Sequence, residues 1–337
     1  MTTEPPTEAQ PSSTAVRFEH STNFPQILAE LGLSLVISTY QAGKLITVGT
    51  HKGRLEIRFN QFEQAMGIAR TPEGLAVGTK RQIWMLRGTT EIASRTDPIG
   101  RYDIAFLASQ AHFTGPLQAH EMAYGSGELW FLNTLFSSIC TLKPNFHFVP
   151  VWQPPFVTGL ATEDRCHLNG LALVDGAPRY VTALAATNTA EGWRPVRAHG
   201  GVLLDVVTGA TLLSTLSMPH SPRRHEGRLW FLNSGAGELC VADPGRLGYA
   251  VAAVLPGFLR GLCFVDGCAV VGLSKLRPSG ALAGLPIQNR FPELTCGVMA
   301  VDLTDGRTIG GLEFTGGCSE LYEVQWLAGR RRPMILN

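Results

Sequence analysis

Two histidines stand at matched places in the chain. His120 lies ten residues before Trp130 and His220 ten before Trp230, upstream of Gly127-Glu128-Leu129-Trp130-Phe131-Leu132-Asn133-Thr134 and Gly227-Arg228-Leu229-Trp230-Phe231-Leu232-Asn233-Ser234. Those two segments are near-identical and one hundred residues apart. Two neutral imidazoles and a carboxylate form the ligand set that zinc, iron, manganese or related ions prefer, and they leave positions open for water or substrate. Glu320 supplies the carboxylate, and His167 offers a third imidazole. Arg260 carries a rigid donor fork that matches a carboxylate or phosphate, or it pairs with Glu121 or Glu320. Asn169 either orients a ligand or caps a turn. In the competing reading these histidines satisfy backbone groups beside turns, around a channel filled with water.

Such residues need a scaffold that brings distant segments together. Short apolar strands recur at Met66-Gly67-Ile68-Ala69, His120-Glu121-Met122-Ala123, Asn169-Gly170-Leu171-Ala172 and Arg260-Gly261-Leu262-Cys263, with further openings at His220 and at Glu320-Leu321-Tyr322-Glu323-Val324. Taking Met66, His120, Asn169, His220, Arg260 and Tyr322 as equivalents gives spacings of 54, 49, 51, 40 and 62, the length of a propeller blade with its loops. Six openings predict an all-β fold, a six-bladed β-propeller whose opening residues ring one mouth of a channel. Alternate blades then converge, with His120, His220 and Glu320 or Tyr322 on one set and Met66, Asn169 and Arg260 on the other.

The chain ends soon after the sixth opening, so the last blade takes outer strands from Leu33 to Thr39, Lys44 to Gly49 and Arg54 to Phe59. N- and C-terminal strands thus close the ring and remove a free sheet edge. Residues 1–16, with three prolines and no apolar core, read as a disordered leader, and 17–337 as one domain. Only Asn23 to Leu31 carries helical spacing, behind Ser21 or Asn23 as a cap. Gly88 to Gln118 and Leu273 to Leu294 read as long loops near blade openings.

Composition narrows the function classes. Lys and Arg number 28 against 27 Asp and Glu, which leaves no electrostatic footprint for nucleic acid. No run of eighteen apolar residues predicts a membrane span, and the missing signal sequence points to the cytoplasm. Seven cysteines without a C-x-x-C pair argue against a disulfide framework or a structural zinc site and for buried core thiols. The matched Trp130 and Trp230 read as core aromatics. His112, and the basic pair Lys275 and Arg277, read as solvated loop residues. No P-loop, dinucleotide fingerprint or G-x-S-x-G elbow occurs.

The runs Asp164-Arg165-Cys166-His167-Leu168-Asn169-Gly170-Leu171-Ala172, Met218-Pro219-His220-Ser221-Pro222-Arg223 and Gly272-Leu273-Ser274-Lys275 resemble a bacterial conserved-hypothetical family over nearly the whole chain. That resemblance implies a propeller-like protein, sometimes associated with tetratricopeptide-repeat proteins, and assigns no catalytic residue. The blade pattern is more distantly similar to six-bladed propellers of the gluconolactonase, strictosidine-synthase and NHL-repeat kind. Those commonly hold calcium with Glu, Asn and Asp, where this chain places histidines.

Together these observations lead to a metal-dependent enzyme acting on a small molecule or peptide at the channel mouth, by hydrolytic or oxidative chemistry. A divalent ion (zinc, iron, manganese or calcium) is held by His120, His220, Glu320 and His167, while Arg260 and Asn169 orient an anionic substrate. The alternative is a non-catalytic scaffold that binds a protein or peptide partner on a rigid face.

Overall fold

The computed structural model describes residues 15–243, 245–276 and 284–337. The expected leader therefore lies outside the described residues up to residue 14, as does Arg277. Strands form wherever apolar runs are bounded by residues that turn the chain. Between Lys44–His51 and Arg54–Gln61, for example, Lys52 and Gly53 adopt φ of 49° and 75°, the left-handed pair that a two-residue hairpin needs.

In chain order, β1 (Arg17–His20) and helix α1 (Phe24–Glu30) precede β2 (Leu33–Thr39), β3 (Lys44–His51) and β4 (Arg54–Gln61). Next come β5 (Ile68–Thr71), β6 (Gly74–Gly78), β7 (Gln82–Thr89) and β8 (Ile104–Phe113), with helix α2 (Thr90–Arg95) between the last two. They are followed by β9 (Ala119–Gly125), β10 (Glu128–Asn133), β11 (Ser138–Thr141) and β12 (Val149–Trp152). The fourth group is β13 (Leu168–Val174), β14 (Ala177–Ala183), β15 (Gly201–Asp205) and β16 (Thr211–Leu216). Strands β17 (Pro219–His225), β18 (Arg228–Asn233), β19 (Glu238–Asp243) and β20 (Gly248–Val254) come next. The chain finishes with β21 (Phe258–Val265), β22 (Cys268–Ser274), β23 (Gly297–Asp302), β24 (Thr308–Gly316), β25 (Glu323–Ala328) and β26 (Pro333–Leu336).

Strands β5–β8, β9–β12, β13–β16, β17–β20 and β21–β24 each form an antiparallel meander, and β25 with β2–β4 makes the sixth sheet. Strands β5, β9, β13, β17, β21 and β25 pack against one another in turn, and β25 returns to β5. This is the expected six-bladed propeller. Its closing blade runs β25-β2-β3-β4, with Leu33 to Ser38 in register against Ala328 to Glu323, so both termini close the ring as the sequence predicts. Two strands extend that closure: β1 adds to β24, and β26 adds in parallel to β8. Each covers an edge that would otherwise present unpaired backbone groups.

Gly88 to Gln118 is not the loop that its sequence suggests. It holds α2 and the ten-residue β8. The first half of β8 is buried on both faces, Ile104 and Phe106 in the core and Ala105 under Ala93 of α2 and Tyr102; a register irregularity at Ser109 follows, and Ser109 to Ala111 are exposed. Helix α1 forms where expected, but Asn23 does not cap it through its side chain; the amide donates to the Ile309 carbonyl (2.7 Å) and ties α1 to β24.

The core lies between blades. Leu35, Ile37, Ile46 and Val48 of the closing blade pack on Val298, Ala300, Leu312 and Phe314 of its neighbour, with Phe24 of α1 sealing the seam. All seven cysteines are buried free thiols. Trp230 is buried among Leu232, Leu239 and Leu262, and Trp130 packs against the core between the β9 and β13 blades.

Candidate functional site

Four inner strands carry an irregularity near their start. Opposite Leu132, β9 presents both His120 and Glu121, since Ala119 pairs with Asn133 and Met122 with Phe131. Asn169 is the extra residue of β13, and Ser221 with Pro222 interrupt β17 between His220 and Arg223. Arg260 and Gly261 together face Gly272 in β21. A bulge sets two successive side chains against one partner and re-aims them. The β21 bulge needs its glycines: Gly261 has φ +78°, and a Cβ on Gly272 would lie 2.1 Å from the Arg260 carbonyl oxygen.

A second device repeats just upstream. Gln64, Gln118, His167 and Met218 all have positive φ, between 47° and 53°, and each stands two residues before an opening position. In two blades this kink turns a carbonyl onto a histidine. His120 Nδ1 donates to the Gln118 carbonyl (3.2 Å), and His220 Nδ1 donates to that of Met218 (2.8 Å) and lies 2.9 Å from Ser234 Oγ. In the third blade the kinked residue is itself His167. Its Nδ1 faces the Asp164 carboxylate (2.8 Å), which also accepts from the Trp193 indole (3.1 Å).

A carbonyl only accepts, so Nδ1 of His120 and of His220 carries the proton, and the Asp164 carboxylate requires the same of His167. Every Nε2 is then left with a lone pair. Those of His120 and His167 point at each other across 3.1 Å. That of His220 is buried and has no partner among the described residues. Burial, then His167 and Arg260, hold His120 well below the usual imidazole range; burial, then Arg260, does the same for His220.

Aromatic and cationic groups link these histidines into a chain of contacts around the mouth. The Tyr322 ring touches the His120 ring (5.1 Å between centroids) and stacks beneath the Arg260 guanidinium (4.3 Å), while Phe258 touches both Arg260 (5.8 Å) and His220 (5.5 Å). Trp193 packs on His167 at 4.5 Å. Arg260 donates to Glu320 at 3.0 Å, and its own Nε is buried without a partner among the described residues.

Deeper in the channel, Arg223 of β17 crosses the axis. It bonds Glu121 of β9 and Glu323 of β25 as well as the Leu262 and Leu171 carbonyls, and Glu121 also accepts from the Leu171 backbone N–H. Burial and the neighbouring Glu323 push Glu121 up to about 8 against the pull of Arg223, and burial raises Glu323 too. At the far mouth, a cavity of about 390 Å³ is lined by the later halves of the inner strands, including Arg70, Arg224, His225 and Trp326.

The structure thus brings His120 and His167 together, from adjacent rather than alternate blades. Glu320 engages Arg260, as one of the two sequence readings holds. His220 faces the same mouth, coupled electrostatically to Arg260 and His167. Among the described residues no group of three or more His, Cys, Asp or Glu side chains converges on one point. Asn169 is buried, its Oδ1 accepting from Thr182 (2.8 Å) and its Nδ2 unpartnered among the described residues. His112 lies in β8 and bonds the Phe146 carbonyl. Asp164, Trp193, Arg223 and Glu323 have no role in the sequence reading, and Glu121 only that of a partner for Arg260; in the structure Glu121 pairs with Arg223 instead. Asp164 is signalled only by its spacing of three from His167, and Arg223 only by its place in the run after His220.

The chain matches a family model over residues 22–336. The chain belongs to the family described as Domain of unknown function (DUF4915). No curated protein sequence matches this DUF4915 member. Among solved structures it is similar to a chain of the nidogen/laminin complex, with a TM-score of 0.54 at 10% identity, covering 88% of this chain and 99% of that one. That likeness is one of fold. Virginiamycin B lyase from Staphylococcus aureus aligns with a TM-score of 0.41 at 13% identity, covering 81% of this chain and 74% of the other. Its catalytically inactive variant with quinupristin aligns at 0.40 over the same shares. No helix of the described residues is long and apolar enough to cross a membrane.

Proposed function

We propose that the channel mouth is the active site of a metal-dependent enzyme acting on a small molecule, with the ion held between His120 and His167. One observation carries this reading: the two Nε2 atoms face each other at 3.1 Å while both Nδ1 atoms are committed as donors. Two opposed lone pairs repel unless a cation lies between them. Imidazole nitrogens bound about 2.0–2.1 Å from a zinc-type ion stand about 3.0–3.4 Å apart across an angle of about 95–110°, and the observed separation falls in that range. Carbonyl and carboxylate partners on the far ring nitrogens are the usual supports of metal-binding histidines. Nitrogen donors favour zinc, iron, manganese or copper over calcium. With two protein ligands the ion keeps positions for water and substrate, and it would polarise a carbonyl or activate the water.

One observation favours a second reading. No third ligand joins the pair among the described residues, and a proton could bridge the two nitrogens instead, giving an Asp164–His167–His120 relay for acid–base chemistry. Elemental analysis of untagged protein, before and after reconstitution with zinc, iron, manganese and copper, separates the two. Near-stoichiometric metal that is lost in a folded His120→Ala, His167→Ala variant supports the metal enzyme. Absence of metal after all four reconstitutions leaves the relay.

A further inference from the structure

Beside the histidine pair lie two buried polar atoms that nothing in the described residues satisfies. His220, 4% exposed, has its Nδ1 committed as a donor to the Met218 carbonyl, so its orphaned Nε2 can only accept. The Arg260 side chain, 12% exposed, shows a single bond, from one terminal nitrogen to Glu320, and its Nε is orphaned. Phe258 touches both residues, and Tyr322 joins Arg260 to His120. An unsatisfied buried donor and acceptor each cost stability, and a bound molecule that completes both removes that cost.

We infer that this half of the mouth binds a small monoanionic carboxylate bearing a hydroxyl beside the acid group: Arg260 takes the carboxylate and His220 Nε2 accepts from the hydroxyl. The charge balance selects a monoanion. Arg260 pairs with Glu320, and a divalent ion on His120 and His167 would exceed the Asp164 charge by one. A carboxylate closes that balance, whereas a phosphate dianion exceeds it. The inference therefore rests on the metal reading for its preference of carboxylate over phosphate, and on Arg260 and His220 for the site itself.

The test is calorimetric titration of the metal-reconstituted protein with lactate, propionate and inorganic phosphate, with metal content measured on the same samples. Lactate is expected to bind about tenfold more tightly than propionate, which lacks the hydroxyl, and phosphate to bind more weakly than either. Arg260→Gln should weaken lactate by about tenfold or more. Arg260→Lys, which keeps the charge without the fork, should recover part of that loss. His220→Phe should bring lactate down to the affinity of propionate. Lactate binding that is absent, or unchanged in folded Arg260→Gln, overturns the inference. Phosphate binding more tightly than lactate overturns the carboxylate assignment. Failure of the metal reading appears separately, as samples without metal.

Discussion

The mouth and the waist of the channel share the bulged strands β9 and β17, yet they treat their charges in opposite ways. At the waist, Arg223 is surrounded by two carboxylates and backbone carbonyls, and both carboxylates also accept a backbone N–H. At the mouth, His220 Nε2 and Arg260 Nε have no partner among the described residues, and two imidazole lone pairs oppose each other. A buried network that satisfies its own members holds blades together. One that leaves particular atoms unmet keeps donors and acceptors for water or a ligand. Neighbouring residues can belong to different classes: His120 serves the mouth and Glu121 the waist.

The largest effect that separates the two regions should come from Arg223→Met. It leaves two nearly inaccessible carboxylates without their cation, and chemical denaturation is expected to show a loss of about 3–5 kcal/mol. The loss should shrink as pH falls and the orphaned carboxylates take up protons.

A smaller, pH-dependent effect follows from the raised carboxylates. Glu121 and Glu323 are held above the ordinary value of 4.5, Glu121 as far as about 8. A raised acid contributes stability that is full below about pH 4.5 and is lost as pH rises through about 8. His120 and His220 are held low, so their contribution has the opposite sign and is lost as pH falls below about 6.5. Glu323→Gln removes one of the two repelling charges. Relative to wild type it should therefore be more stable at about pH 8 than at about pH 5, as unfolding curves at both values will show.

The smallest effect belongs to the mouth. His120→Phe gives up one 3.2 Å bond to a carbonyl but also removes a pair of opposed lone pairs. Its stability should stay within about 1 kcal/mol of wild type, while metal binding falls. A loss as large as that of Arg223→Met would mean that the mouth, too, is structural.

The architecture is legible in the sequence because it repeats. The Trp130 and Trp230 segments set the blade length, and each opening predicted from spacing lies within two residues of an inner strand, including the closing blade shared by both termini. The site is legible only where repetition carries it. His120 and His220 stand out as equivalents, and Arg260 with Glu320 follows from adjacent blades. The pairing of Glu121 with Arg223 escapes because strict alternation sends Glu121 to the sheet face opposite His120; the bulge that returns it to the channel leaves no mark beyond a local register shift. The His120–His167 pairing escapes for a related reason. His167 precedes β13 in a left-handed kink, outside the ring of equivalent positions, and only the fold shows that its Nε2 reaches the neighbouring blade.

The central claim is that His120 and His167 together hold a cation through Nε2, and nitrogen-15 NMR of the histidine side chains during zinc titration tests it most directly. The account predicts that all three mouth histidines carry their proton on Nδ1, and that one equivalent of zinc moves the Nε2 resonances of His120 and His167 together while Asp164 keeps His167 Nδ1 protonated. Nε2 signals that ignore zinc, manganese and iron alike, or a His120 protonated on Nε2 in the metal-free protein, would contradict it.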